Sequence, residues 1–216
     1  GNDKFKYTGD HAATIHGGDG DDRITTGAGN DTVYGDGGND TIVTGDGDDT
    51  IYGGDESNGF TGNLINGDNI DAGAGVDTIY GGTGSDIIRG GDGNDVIYGG
   101  KETGDTGTSA SIKNKPFGDT IDGGAGNDTI YGGESSTDFA DSGSDTIKGG
   151  DGIDTIWGGD ESGAVAATGK LYGDVIEGGS SADIIHGGAG ADNIRGDAGD
   201  DTITGDAGDD TLTGGT

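Results

Sequence analysis

An aspartate recurs at one position of a nine-residue repeat along most of this chain. Each repeat reads Gly-Gly-x-Gly-x-Asp-x-U-x, where x varies and U is aliphatic, as in residues 90–98. The Asp offers a carboxylate, and the glycine-rich turn before it offers backbone carbonyls that can approach a ligand closely. Calcium ions take about six to eight oxygen ligands of these two kinds, at roughly 2.3–2.6 Å. The pattern therefore indicates repeated cation sites built from oxygen ligands.

Seventeen units between Gly17 and Thr213 keep this Asp, and thirteen of them are nine residues long. We predict that the metal-binding carboxylates are those of Asp22, Asp31, Asp40, Asp49, Asp68, Asp77, Asp86, Asp95, Asp119, Asp128, Asp145, Asp154, Asp174, Asp183, Asp192, Asp201 and Asp210. We predict that turn carbonyls contribute at Gly27, Gly29, Gly45, Gly47, Gly73, Gly75, Gly91, Gly93, Gly124, Gly126, Gly150 and Gly152. Residues 1–16 are a degenerate start of the array, with Ala13 in the Asp position.

The repeat period also predicts the fold. The last three residues of each unit, x-U-x, should form a short strand whose middle side chain points inward. Two units would make one coil, with strands on opposite sides of a thin core of Ile side chains. Coils about 4.8 Å apart would place the turns of units n and n+2 over each other, so that two turns share one ion. We predict an all-β, parallel β-roll solenoid that forms a single array over residues 1–216.

Composition requires that a cation stabilise such a fold. The chain has 216 residues, 55 of them Gly, and a net charge of −32. A chain with so few large apolar residues and so much charge is typical of disorder. Up to fifteen n/n+2 gaps are available, and we predict about nine to fifteen calcium ions, depending on how many gaps fill. The acidic surface argues against nucleic acid and anionic membranes, and no apolar run is long enough for membrane insertion.

The two edges and the two faces of the roll should differ. Four units carry insertions and span 53–71, 99–122, 132–148 and 158–177, and all four are odd-numbered units, so they should leave one edge. The ninth position points outward. In even units it predicts an aromatic ladder of Tyr34, Tyr52, Tyr80, Tyr98, Tyr131 and Trp157, and in odd units a column of alternating charge. The ladder is a candidate ligand or partner face for a glycan or for self-association; alternatively, the insertions cover it.

The nonapeptides resemble the RTX (repeats-in-toxin, hemolysin-type) calcium-binding family, as in Gly90-Gly91-Asp92-Gly93-Asn94-Asp95. This resemblance covers almost the whole chain. It implies a right-handed parallel β-roll, calcium held between turns, and secretion. Four residues depart from the turn pattern and put their own sites in doubt: Ser181 at a glycine position, and Asp36, Asp197 and Asp206 at the second position.

Three uses of such a module remain open. We found no residue pattern of a catalytic site and expect no enzyme activity. The first use is a structural part of a secreted or bacterial cell-surface protein, such as a surface layer, sheath or adhesin. The second is a calcium-dependent export and folding module of a secreted enzyme or toxin, and the third is a carbohydrate-binding module. Because the sequence opens and stops within the pattern, we expect the chain to be an excerpt of a longer extracellular protein.

Overall fold

Every regular element of the described chain is a β-strand. The computed structural model describes residues 1–54, 67–101, 118–133, 144–160 and 173–216. Nineteen strands within these ranges form one ten-stranded and one nine-stranded sheet. Residues 55–66, 102–117, 134–143 and 161–172, which belong to the four predicted inserted units, lie outside the described residues. No helix in the described part has the length and apolar character needed to cross a membrane.

Strands alternate between the two sheets along the chain. The ten-stranded sheet contains β1 Lys4–Lys6, β3 Arg23–Thr25, β5 Thr41–Asp46, β7 Asn69–Ala74, β9 Ile87–Asp92, β11 Thr120–Ala125, β13 Thr146–Asp151, β15 Val175–Ser180, β17 Asn193–Ala198 and β19 Thr211–Gly215. The nine-stranded sheet contains β2 Thr14–Asp19, β4 Thr32–Gly37, β6 Thr50–Gly54, β8 Thr78–Thr83, β10 Val96–Lys101, β12 Thr129–Gly133, β14 Thr155–Asp160, β16 Ile184–Ala189 and β18 Thr202–Thr204. Each consecutive pair of strands is therefore one coil, which confirms the prediction of two units per coil.

All neighbouring strands pair in parallel and in the register of the repeat. Ile97 of β10, for example, lies opposite Ile79 of β8 and Ile130 of β12. The eighth-position side chains from Ile24 to Ile194 are exposed by 1% or less and form a single core. This confirms the parallel β-roll, in which each coil adds one aliphatic side chain from each sheet.

The strands are longer than the sequence predicted. Most span six residues, running from the seventh position of one unit to the third position of the next, so the prediction of a three-residue strand was too short. Because identical turns lie in register, their backbones can pair as well. Gly93 N donates to Ala125 O at 2.6 Å, for instance, and Gly126 N donates to Asp151 O at 2.7 Å. The turns are thus part of the hydrogen-bonded stack.

The two edges of the roll differ as predicted. Each described residue range that precedes an insertion ends in the nine-stranded sheet, and the next described range begins in the ten-stranded sheet. All four insertions therefore interrupt the same edge, which we call the inserted edge. The opposite edge, where the chain passes from the ten-stranded to the nine-stranded sheet, is continuous from β3 to β18, and we call it the uninterrupted edge.

The outer faces also differ. On the nine-stranded sheet, rings stack from His16 through the six predicted aromatics to His186, with neighbouring centroids 4.4–5.8 Å apart and planes within 9°. On the ten-stranded sheet, ninth-position residues of opposite charge lie side by side. There Arg195 Nη2 lies 2.6 Å from Glu177 Oε1. Both predicted columns are present.

Candidate metal centre

A column of aspartates runs along the uninterrupted edge. One oxygen of each carboxylate, Oδ1, accepts a hydrogen bond from a backbone N–H one coil earlier, at 2.7–3.0 Å. The donor is Ala13 for the first member of the column and the preceding Asp for every other member. The members are the even-unit aspartates Asp31, Asp49, Asp77, Asp95, Asp128, Asp154, Asp183 and Asp201. This bond orients every side chain in the same way, so the sequence period becomes a regular line of carboxylates.

The second oxygen of each carboxylate lacks a hydrogen-bond donor. Among the residues that the structure describes, none donates a hydrogen bond to Oδ2 of these eight aspartates, although the atom is buried in all of them. The side chains from Asp31 to Asp183 are exposed by 1% or less. A buried charge without a partner is strongly unfavourable, and buried charges in proteins are normally paired or bind metal. The arrangement therefore fits a column of cations on the Oδ2 side.

The titration of these carboxylates reflects their burial. Burial is the main cause that raises the pKa of Asp77 and of Asp128 to about 7, and neighbouring carboxylates add to the effect. The N–H bond from the preceding coil acts in the opposite direction, because it favours the charged form. On the inserted edge the pKa of Asp40 is likewise raised to about 7. A bound divalent cation would reverse this effect of burial, because it stabilises the carboxylate anion.

Backbone carbonyls lie beside these oxygens. A methyl group added at Gly123 would lie 2.5 Å from Asp128 Oδ2 and 2.6 Å from the carbonyl oxygen of Gly149, one coil further on. At Gly178 the same two neighbours, Asp183 Oδ2 and Gly196 O, would lie at 2.6 and 2.8 Å. The first glycine of these two units therefore keeps this space open. Its absent side chain leaves room for a carboxylate and a carbonyl from two successive coils.

Glycines at the second and fourth positions have another role. Gly124 and Gly126 adopt φ values of +108° and +138°, which residues with a side chain rarely adopt. The four predicted departures adopt left-handed values as well: Asp36 +73°, Ser181 +83°, Asp197 +69° and Asp206 +61°. The stack continues through all four, at the cost of a backbone conformation that is unfavourable for side-chain-bearing residues.

Three residues of this site were missed by sequence reasoning. Thr26, Thr44 and Ala72 replace the first glycine in three successive units of the uninterrupted edge and are buried. Thr26 Oγ1 donates to Thr44 O and Thr44 Oγ1 donates to Ala72 O, each at 2.8 Å. The Thr44 side chain lies beside the carboxylate of Asp49, whose pKa burial raises. A close comparison of first positions among the units would have revealed this difference.

The inserted edge repeats the same hydrogen-bond pattern. Oδ1 of each Asp from Asp22 to Asp210 accepts a hydrogen bond from one coil earlier, across the insertions as well as between them. Among the described residues, Oδ2 of Asp22, Asp40 and Asp192 lacks a donor, as on the other edge. The structure thus brings all seventeen predicted aspartates into two columns.

The carboxylates of the described residues do not form clusters of three or more around one point. Within the described ranges, no set of three or more His, Cys, Asp or Glu side chains is placed to hold one ion. A site beside these carboxylates would combine them with backbone carbonyls, which the glycine-rich turns supply. Such sites suit calcium, which accepts carbonyl ligands and irregular geometry, better than zinc, which prefers nitrogen and sulfur ligands.

Comparison with known families agrees with this geometry. The family model for the RTX calcium-binding nonapeptide repeat matches residues 7–42, 34–64, 66–102, 116–136, 139–161, 168–203 and 188–216. These segments cover well over half of the chain. The chain belongs to the RTX calcium-binding repeat family. No match was found among curated proteins. Ca²⁺ is accordingly the ion that this RTX array binds, and we propose that residues of the two aspartate columns hold it.

Proposed function

We propose that this RTX array is a structural module of a secreted or cell-surface protein, and that it folds when it meets calcium outside the cell. The observation that carries the proposal is the column of eight carboxylates on the uninterrupted edge, whose Oδ2 atoms are buried and have no donor within the described chain. Without cations these charges oppose stacking. With calcium they join successive coils.

Charge and core size support this coupling of binding to folding. Each coil adds only two aliphatic core side chains, and the chain carries a net charge of −32. Fifteen divalent ions would bring that charge to −2 and remove most of the self-repulsion. Because no aligned pair of turns exists in the unfolded chain, the free energy of calcium binding becomes free energy of folding. Extracellular modules commonly bind calcium at about 10⁻⁴–10⁻³ M, which keeps such a chain unfolded in the cytosol.

The proposed structural role of the array rests on the regular repetition of its coils. The array presents two long and chemically distinct faces, and no constellation of catalytic residues was found in the sequence. A surface layer, sheath or adhesin would use such faces for contacts with other chains. A calcium-dependent export and folding module of a secreted enzyme or toxin would share the same calcium chemistry, and it differs only in what the longer protein contains.

The stacked geometry of the ladder weighs against carbohydrate binding. Sugar rings pack on exposed aromatic faces. Here each ring face, such as that of Tyr98, lies against the faces of Tyr80 and Tyr131, with centroids 4.9 Å apart on both sides. The column therefore presents ring edges and hydroxyl groups to its surroundings. This arrangement suits a stabilising element better than a sugar platform.

Calcium titration of the metal-free chain tests the proposal. We expect circular dichroism to change from a disordered to a β spectrum, and the hydrodynamic radius to fall, at about 0.1–1 mM Ca²⁺. Magnesium at the same concentration should be much less effective, because it demands a more regular shell and dehydrates reluctantly. Calorimetry should give nine to fifteen ions per chain. A chain that is equally folded in chelator and in calcium would refute the proposal.

A further inference from the structure

The outer face of the ten-stranded sheet carries a charged column whose signs strictly alternate. Its members are the ninth-position residues of β7, β9, β11, β13, β15 and β17, namely Asp71, Arg89, Asp122, Lys148, Glu177 and Arg195. Neighbours lie directly opposite each other in the parallel register. When the order of the column is reversed, the spacing stays the same and the charge at every position changes sign. A second copy of the column in the reversed direction would therefore place an opposite charge at every position.

A second column on the same face has the same order of side-chain types from either end. The seventh positions of the same six strands are Asn69, Ile87, Thr120, Thr146, Val175 and Asn193. By chemical type, these side chains are in order an amide, an aliphatic, a hydroxyl, a hydroxyl, an aliphatic and an amide. The two aliphatic side chains, Ile87 and Val175, are 41% and 43% exposed. The centre of both columns lies between β11 and β13. A shallow cleft beside this centre is lined by residues of β9, β11 and β13.

We propose that two copies of this chain dock through the outer face of the ten-stranded sheet, with their stacking directions antiparallel. A two-fold axis parallel to the strands, passing between β11 and β13, reverses the stacking direction and keeps the strand direction. Each charge then faces an opposite charge of the second copy: Asp71 faces Arg195, Arg89 faces Glu177, and Asp122 faces Lys148. Such self-complementarity is what an isologous interface requires.

The neutral column fits the same arrangement. The axis places Ile87 against Val175 of the second copy, Asn69 against Asn193, and Thr120 against Thr146. Aliphatic groups thus meet aliphatic groups, and groups that form hydrogen bonds meet one another. A two-fold axis along the stacking direction would instead place the charged column of one copy against the neutral column of the other. The charges therefore select the antiparallel arrangement.

The contact is small and depends on folding. Six strands at about 4.8 Å span roughly 29 Å, so the interface is of the weak class, in which charge sets orientation more than affinity. The docking face forms only when the roll folds, so this inference rests on the calcium-driven folding proposed above. Bound calcium would also reduce the repulsion between two chains of charge −32. We therefore expect association in calcium and none in chelator.

Cysteine cross-linking tests the geometry, because the chain contains no cysteine of its own. Ile87→Cys and Val175→Cys chains, mixed in CaCl₂ and oxidised, should form a mixed disulfide dimer. Each variant alone should form little, since the two copies of one position would lie about 14 Å apart, three strand spacings. Thr78→Cys and Ile184→Cys, exposed or half-exposed positions on the nine-stranded sheet, give the background. Mixed dimer at or below that background, or equal dimer from single variants, would overturn the proposal.

Charge reversal supplies a second readout, by sedimentation equilibrium in CaCl₂. Arg89→Glu and Glu177→Arg should each weaken dimerisation about threefold or more, and the double variant should restore it. These residues lie three strands apart within one chain, so contacts inside a chain cannot account for the rescue. A double variant no better than the single variants would contradict the facing pair. Circular dichroism of the same samples separates two failures: chains that fold but do not dimerise overturn docking alone, and chains that never fold overturn the proposed function as well.

Discussion

Replacing Asp128 by Asn should remove two calcium sites from the middle of the uninterrupted edge. Asp128 Oδ1 accepts the N–H of Asp95, and Asp128 N donates to Asp154 Oδ1, each at 2.9 Å, so its carboxylate borders two gaps between coils. Oδ2 is buried and has no donor in the described chain. Asn keeps the shape and one oxygen but removes the charge that calcium needs.

The magnitude follows from linkage. For sites with a Kd of about 10⁻⁴–10⁻³ M, 10 mM Ca²⁺ stabilises the fold by about 1.4–2.7 kcal/mol per site. Losing two sites therefore costs about 2.8–5.4 kcal/mol of folding free energy in 10 mM CaCl₂. In chelator the same substitution should have the opposite effect and stabilise the fold. Burial raises the pKa of Asp128 from 3.8 to about 7, a shift that corresponds to at most about 4 kcal/mol of destabilisation at neutral pH, and Asn removes that penalty.

Denaturant unfolding in 10 mM CaCl₂, followed by circular dichroism, measures the effect. The matched control is Asp92→Asn, which removes one exposed carboxylate from a turn of the same edge and should change stability by less than about 0.5 kcal/mol. Equal losses for Asp128→Asn and Asp92→Asn would refute the reasoning, because they would show that total charge matters and that the buried column does not.

Three further predictions follow from the same geometry. Without metal, burial raises the pKa of aspartates such as Asp77 and Asp128 to about 7, so the folded roll keeps protons that the unfolded chain releases above pH 4. The stability of the metal-free roll should therefore fall between pH 4 and 7. A β signal in circular dichroism of the metal-free protein that grows with pH would contradict this. Thr44→Gly frees the Ala72 carbonyl and the space beside Asp49, so equilibrium dialysis at 1 mM Ca²⁺ should show more bound calcium, and unchanged or lower binding would count against it. Tyr98→Ala removes two stacking contacts and should cost about 1–3 kcal/mol in calcium by denaturant unfolding, whereas a loss below about 0.5 kcal/mol would argue against a stabilising ladder.

Much of the fold followed from the period of the repeat. The aliphatic eighth position determines which side chains point inward, and the same position in every second unit determines the register. Ile97 therefore lies opposite Ile79, and it also lies opposite Ile130 although an inserted unit separates the two along the chain. The positions of the insertions in odd units were likewise enough to predict the inserted edge, because two units make one coil.

Other features depended on atoms that a pattern does not specify. The sequence identified Asp128 as a ligand, but only the coordinates separate Oδ1, which holds the next coil, from Oδ2, which lacks a donor. The pattern also placed Tyr98 on a candidate ligand face without showing that neighbouring rings cover it. Thr44 escaped notice because the sequence analysis did not compare the first positions of the units, where a glycine leaves space beside a carboxylate.

The most direct test of the account is an anomalous difference map from crystals grown in CaCl₂. The account predicts peaks along the uninterrupted edge, each within about 2.3–2.6 Å of a carboxylate oxygen and of turn carbonyls from two successive coils. The gaps beside Thr26 and Thr44 should give the weakest peaks of that column. A folded roll with no peaks beside Asp95, Asp128 and Asp154, and with their Oδ2 atoms bonded to water or protein donors, would contradict the central claim.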